Sequence, residues 1–223
     1  MLRFLKRLFL FILVSHLLYI VILKWVNPPI TITQLSEWFA GNGLKRDYVS
    51  HEEVSPNARL AVVASEDQLF ADHSGFDWKS IEKAMAYNKR KPNRVKGAST
   101  ISQQVAKNVF LWQGRSWIRK ALEVYFTFMI ELIWGKERIL DVYLNVAEMG
   151  KGVFGIEAAS QRYFKKAAIK LTRREAAMIA ACLPNPKVFT VKPASKRVSS
   201  RAPWIISQMN HLRADPDVRK ITD

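Results

Sequence analysis

Only one cysteine, Cys182, occurs in the 223 residues, so the chain holds neither an internal disulfide nor a cysteine-rich metal site. Its neighbours Ala180, Ala181 and Leu183 mark it as a small core residue. Acidic side chains are scarce: 19 Asp and Glu stand against 35 Lys and Arg, a net charge of +16. Such a surface attracts nucleic acid, phosphorylated small molecules or anionic lipid, and charge alone does not choose among them. His73 lacks the His-x-x-x-His or cysteine partner of a metal ligand, which makes it a positioning or packing residue. No alternating run is long enough to build a sheet, and no segment repeats. What is present is 49% apolar residues and 11% aromatics, which excludes a disordered protein and suffices for one core plus a membrane segment.

The longest apolar run, Leu8 to Val26, is interrupted by His16 and Lys24 and is long enough to cross a bilayer. Arg3, Lys6 and Arg7 precede it and the next charge after Lys24 is Glu37, so the positive-inside rule places the N-terminus in the cytoplasm. Asn27-Pro28-Pro29 stands where a signal-peptide cleavage site would need small residues, which favours an uncleaved anchor. An extracytoplasmic domain meets lipid head groups and wall precursors before DNA, which weakens the nucleic-acid reading. The chain divides into a basic tail (1–7), an anchor (8–26), a connector (27–50) and one folded domain (51–223).

The domain reads as mostly α. Ser55-Pro56 predicts a helix start running to Phe70, which would set Glu66, Phe70 and His73 on one face. Further helices are predicted over Trp78 to Arg90, Thr100 to Phe110, Trp117 to Trp134, Lys136 to Val146, Ile156 to Phe164 and Val198 to Leu212, with a short one near Leu35 to Ala40. Ile118, Leu122, Tyr125, Phe126, Met129 and Leu132 form the apolar stripe of the Trp117 helix. Thr172 with Glu175 makes a capping box for an Ala-rich helix ending before Pro184. Two motif matches are set aside: Gly150-x-Gly152-x-x-Gly155 follows residues that read as helical, where a dinucleotide site needs a strand inside a βαβ unit, and Ser80-x-x-Lys83 lacks the later K-T-G of penicillin-recognising enzymes.

Two glutamates, Glu66 and Glu123, bracket the polar run Gly97 to Gln104. A carboxylate is the usual general base at a sugar hydroxyl, and cations beside Glu123 suit a phosphate, so the combination points to transfer of a sugar from a phosphorylated donor. Glu66 follows the apolar stretch Ala61 to Ala64, where desolvation raises a carboxyl pKa toward that of a working base; a solvated helix-end acid is the plainer alternative. The hydroxyls and amides of Ser99 to Gln104 suit sugar hydroxyls or diphosphate oxygens at a helix N-terminus, or simply cap a helix. Thr100, Gln104, Lys107 and Asn108 would share one stripe of that helix. Arg119 and Glu123 are spaced as an ordinary helical ion pair, yet Lys107, Arg115, Arg119 and Lys120 crowd ahead of Glu123 and offer a lipid diphosphate several donors.

Five ordered blocks between Leu60 and Pro186 resemble the peptidoglycan glycosyltransferases in their monofunctional biosynthetic form. They are Glu66-Asp67 with Phe70, His73 and Gly75; Gly97 to Gln104 with Lys107-Asn108; Arg119-Lys120 with Glu123; Lys136 to Gly150 containing Ile139-Leu140 and Tyr143-Leu144-Asn145; and Glu175 through Pro186. Ser102 replaces a threonine frequent in that family. The resemblance implies a lysozyme-like, two-lobed domain with a groove, one lobe partly sunk in the membrane, and no transpeptidase domain. It implies that lipid II is polymerised into β-1,4 glycan strands, the growing strand being donor and lipid II acceptor, with inversion at the donor MurNAc C1 and release of undecaprenyl diphosphate. Glu66 would be the base and Glu123 the second catalytic glutamate, supporting the donor site. Lys107, Arg115, Arg119 and Lys120 would hold diphosphate, Ser99, Thr100 and Gln104 would line the groove, and Asp67, Phe70, His73 and Asn108 complete the expected substrate-binding set. A divalent cation, Mg or Mn, at the diphosphate is compatible with this reading, and no nucleic acid is expected. The expected setting is the bacterial inner membrane, single-pass with the domain in the periplasm, among membrane lipids and other cell-wall synthesis and division proteins. A glycan-cleaving lytic transglycosylase or lysozyme-like enzyme is the nearest rival, although it has no use for a diphosphate-binding cluster.

Overall fold

Capping side chains decide where most helices begin. A computed structural model describes residues 1–114 and 116–223, among which eleven α-helices and three short strands are formed. Helix α1 (Leu2–Ile22) is about 32 Å long at 1.5 Å per residue. Its segment Arg3–Ile22, with mean hydropathy 2.0, is long and apolar enough to cross a membrane. The helix stops at Ile22, short of Val26, and the domain takes up its last carbonyls. Trp134 Nε1 donates to Ile20 O at 2.8 Å, and Arg138 Nη2 donates to Leu23 O and Val26 O, both at 2.9 Å.

Between the anchor and residue 51 lie α2 (Ile32–Phe39), started by a Thr31 and Gln34 capping box, and the two-residue strand β1 (Lys45–Arg46). Helix α3 (Pro56–Glu66) begins with the Ser55 cap and Pro56 as expected. It ends four residues before Phe70, so Glu66, Phe70 and His73 do not share a helical face. The cause is Asp67, which leaves helical geometry (φ −160°, ψ 81°) and gives its carboxylate to Ile101 N and His73 Nε2. Next come α4 (Trp78–Arg90), α5 (Ile101–Phe110), α6 (Trp117–Ile133) and α7 (Lys136–Val146). Thr100 precedes α5 as its cap and exchanges hydrogen bonds with Gln103.

Helix α6 reverses the expected burial. Glu123, Thr127 and Ile130 face inward, whereas Ile118 and Leu132 of the apolar stripe are 73% and 70% exposed, as is Trp117 at 91%. Phe126 and Met129 are partly buried against the core. The inward face meets α5 and the 67–77 loop, both rich in polar groups, and the apolar face turns outward beside α1, where Tyr125 stacks on His16 at 5.5 Å between ring centres.

The chain also builds a small sheet, contrary to expectation. Strands β2 (Glu148–Gly150) and β3 (Val153–Phe154) form a hairpin, β1 pairs parallel to β3, and the order is β1-β3-β2. Gly152 (φ +65°) turns this hairpin where a Cβ would lie 2.1 Å from Asn42 O. Helices α8 (Ile156–Phe164), α9 (Arg173–Cys182), α10 (Lys196–Leu212) and the short α11 (Pro216–Thr222), which was not among the expected helices although Asp215-Pro216 caps its start, complete the chain. Helices α9 and α10 pack on α3, and α6 and α7 pack with α5, giving two groups of helices over one continuous core. The C-terminal residue of α3 faces the cleft between these groups.

Candidate active site

The cleft encloses about 970 Å³ and is lined by the end of α3 and the residues just after it (Ser65 to Leu69), Asp77 and Ser80 at the start of α4, Val95 and Gly97 to Thr100, Gln104 and Lys107 of α5, and Leu183-Pro184 after α9. Its floor carries Glu66, half-buried at the point where α3 stops. Glu66 Oε2 accepts from Gln104 Nε2 at 3.0 Å, and Oε1 accepts from Ser65 Oγ at 3.3 Å. Burial pushes the Glu66 carboxyl above its ordinary value; the bonds from Gln104 and Ser65 and the nearby Arg201 charge pull the other way and do not cancel it. Gln104 is itself held, since its carbonyl oxygen accepts from the fully buried Tyr143 hydroxyl at 3.3 Å. The site thus presents a desolvated carboxylate with one fixed donor and an open face, the arrangement a general base requires.

The second carboxylate is differently placed. Glu123 is buried, and both of its oxygens are engaged: Oε2 by Arg119 Nη1 at 2.6 Å and Oε1 by Lys120 Nζ. Lys107 feels the same carboxylate, and burial lowers its pKa. Two cations therefore pair with one carboxylate while a third, Lys107, stands in its field, and Arg119 Nε is buried with no partner among the described residues. The surplus positive charge and the open donor suit a multiply charged oxyanion. Arg115, expected in this cluster, lies outside the described residues.

Other expected site residues separate into cleft and scaffold. Ser99 is exposed at the cleft wall, and Lys107 borders it one turn beyond Gln104. Thr100 also borders it, but its hydroxyl is turned inward, donating to Gly75 O at 2.7 Å. Asp67 lies at the cleft with its carboxylate committed to Ile101 N at 2.9 Å and His73 Nε2 at 3.0 Å. Gly75 N donates to His73 Nδ1 at 3.2 Å, which fixes the tautomer with its proton on Nε2 facing Asp67. His73 therefore braces the loop. Phe70 is fully buried in the core with Lys136 Nζ 4.6 Å above its ring. Asn108, half-buried, is absent from the cleft lining.

Gly75 explains why this loop sits so close to α6. It adopts φ +86°, and a Cβ there would lie 2.8 Å from Thr127 Cγ2. Thr127 Oγ1 in turn donates to Glu123 O at 2.6 Å. The loop after Glu66 and the helix carrying Glu123 are thereby locked together. Residues given no site role from the sequence also contribute: Gln68, Asp77 and Ser80 line the cleft, Tyr143 holds Gln104, and the Arg201 charge acts on Glu66. Asp77 and Ser80 carry a helix-cap spacing that is indistinguishable in sequence from any other, and Asp77 does accept from Ser80 N.

Known proteins share these features. A sequence model of the transglycosylase family matches residues 32–210. The chain is 58% identical over 186 residues to biosynthetic peptidoglycan transglycosylases of Escherichia coli (strain K12 / DH10B) and of Shigella sonnei (strain Ss046), covering 82% of this chain and 77% of each relative. The resemblance read from the five blocks is borne out over most of the chain. With the carboxylates, the cationic cluster and the helical two-group fold in their expected order, the chain belongs to the transglycosylase family, among the biosynthetic peptidoglycan transglycosylases.

Proposed function

We propose that the protein polymerises lipid II by peptidoglycan glycosyl transfer, with Glu66 as base and the Glu123 cluster as the diphosphate site. The observation carrying this reading is a desolvated carboxylate on the cleft floor with Lys107 on the cleft wall, next to a Glu123 cluster whose cations outnumber its one acid. Glu66 takes the proton of the acceptor GlcNAc 4-hydroxyl. The oxygen attacks C1 of the donor MurNAc opposite the leaving diphosphate, the new O–C1 bond forms as the C1–phosphate oxygen bond breaks, and the bonding pair leaves with the diphosphate. The α-linked donor becomes a β-1,4 linkage. A diphosphate needs little protonation, so charge stabilisation by Lys107, Arg119 and Lys120 replaces a general acid. Glu123, with both oxygens occupied by cations, spaces and orients them.

The donor set does not fit a divalent metal at Glu123. A Mg or Mn ion would displace Arg119 or Lys120 and sit beside Lys107, without a second carboxylate to offset it. The apolar α1 behind Arg3, Lys6 and Arg7 supports a single-pass anchor in the bacterial inner membrane with the domain on the periplasmic side. The outward apolar face of α6 beside α1 supports immersion of this side of the domain among membrane lipids. Other cell-wall synthesis and division proteins are its natural company there.

The test is full-length protein in detergent with labelled lipid II, resolved on a gel that separates glycan strands, run in parallel with purified wall. Strand growth from lipid II without soluble muropeptides from wall supports the proposal. Muropeptide release without strand growth would assign the glycan-cleaving reaction instead.

A further inference from the structure

Arg197, Arg201, Trp204 and Gln208 recur at intervals of four, three and four residues and so lie on one face of α10. Gln208 ties that face to the cleft, because its Oε1 accepts at 3.3 Å from Nε2 of Gln68, a lining residue two positions after Glu66. Along the same face the Arg201 guanidinium lies flat on the Trp204 indole, its central carbon 3.3 Å from the ring centre. Stacking of this kind fixes the orientation of the donor fork while leaving its edge free. Arg197 stands one turn earlier, 5.9 Å over the Phe189 ring, within the first turn of the 17-residue helix.

Among the described residues no carboxylate forms an ion pair with Arg197 or Arg201. The two guanidinium groups repel each other, and the carboxylate acting on Arg201 is Glu66, beyond ion-pair distance. A half-buried, immobilised guanidinium beside a like charge is an arrangement that a bound oxyanion relieves. Cations therefore stand on two different supports: Lys107, Arg119 and Lys120 around Glu123 on α5 and α6, and Arg201, the cation acting on Glu66, with Arg197 on α10.

Transfer between two lipid-linked sugars brings oxyanions on both substrates. The donor's diphosphate occupies the Glu123 cluster under the reading above, on which this inference rests. We propose that Arg201, stacked on Trp204 and assisted by Arg197, is a binding residue for an oxyanion of the acceptor and forms the second anion site of the cleft. That oxyanion is either the acceptor's own diphosphate or a carboxylate of its peptide stem.

The experiment extends a pre-formed, labelled lipid-linked glycan at saturation with lipid II varied as acceptor, using full-length wild type, Arg201→Ala, Arg201→Lys and Arg197→Ala, each checked by thermal melting. Arg201→Ala is expected to raise the acceptor KM about tenfold, the worth of one charge-assisted hydrogen bond, with kcat much less affected. Arg201→Lys restores part of the loss because charge remains and the fork does not. An acceptor whose stem carboxylates are amidated separates the sources. If it binds wild type as weakly as lipid II binds Arg201→Ala, the stem is the ligand; if it retains the wild-type KM and still discriminates between wild type and variant, the diphosphate is. Strand extension by wild type together with an unchanged KM in well-folded Arg201→Ala would overturn the second anion site alone. Absence of extension by wild type would instead overturn the function on which it rests.

Discussion

Gln104 holds Glu66: its amide donates to the carboxylate at 3.0 Å while its carbonyl is anchored by Tyr143 at 3.3 Å. A carboxylate on the cleft floor is thereby aimed by a neighbouring helix, α5, and not only by the end of its own helix. Burial raises the Glu66 pKa and the Gln104 bond opposes it. Since the carboxylate is the working form, activity is present above the folded pKa and lost as pH falls through it.

The acid limb of the pH profile of kcat/KM is therefore expected above the usual carboxylate range. Gln104→Leu removes a bond that favours the ionised form, so the limb moves to still higher pH, and the rate at neutral pH falls about tenfold or more as aim and ionisation are both lost. A limb that stays in place in the Gln104 variant would show that this bond does not tune the base.

Glu123→Gln leaves Lys107, Arg119 and Lys120 without their shared carboxylate in a largely buried setting. Equilibrium unfolding is expected to show a loss of about 3 kcal/mol, since removing one partner strands the others. At a temperature where the variant remains folded, polymerisation should still fall, because the cations lose their common anchor.

Phe70→Leu separates packing from substrate contact. The ring is fully buried under Lys136, so the substitution should cost about 1–2 kcal/mol of stability and leave KM for lipid II unchanged. Denaturant unfolding and steady-state kinetics on the same preparation check both halves.

Gly75→Ala introduces a Cβ at φ +86° and 2.8 Å from Thr127 Cγ2. The strain and the clash together should destabilise by about 2 kcal/mol and prise the 67–77 loop from α6. Activity is expected to fall more than for Phe70→Leu, because Thr127 bonds the backbone of Glu123 itself.

Local signals in the sequence located the helix starts well. Ser55-Pro56 and the Thr172 and Glu175 box act within one turn, and both form as their spacing requires. The end of α3 was not legible because Asp67 is drawn out of the helix by Ile101, 34 residues away. The orientation of α6 was misread because amphipathic reasoning assumes water outside, whereas its outer face lies beside an apolar anchor helix. Strands of two or three residues are shorter than any alternation can reveal.

At the site, the two glutamates, the hydroxyl and amide run and the crowded cations were legible in the sequence; Glu66, Ser99, Gln104 and Lys107 line the cleft, and Arg119, Lys120 and Glu123 form a separate ion-paired cluster. Asp67, His73 and Thr100 occupy the same motifs, yet their side chains serve as braces, since their polar atoms are spent on backbone and on one another. Arg201 carries no local signature. Its relation to Glu66 exists only once α10 packs on α3.

The central claim is that Glu66 is the base. Single-turnover extension of a labelled lipid-linked glycan by lipid II, comparing wild type with Glu66→Gln, tests it most directly. The isosteric amide retains shape but cannot accept the proton. The account predicts a folded variant that still binds lipid II and whose rate of O–C1 bond formation drops by at least about a hundredfold. A Glu66→Gln protein that extends strands at a rate near wild type would contradict it.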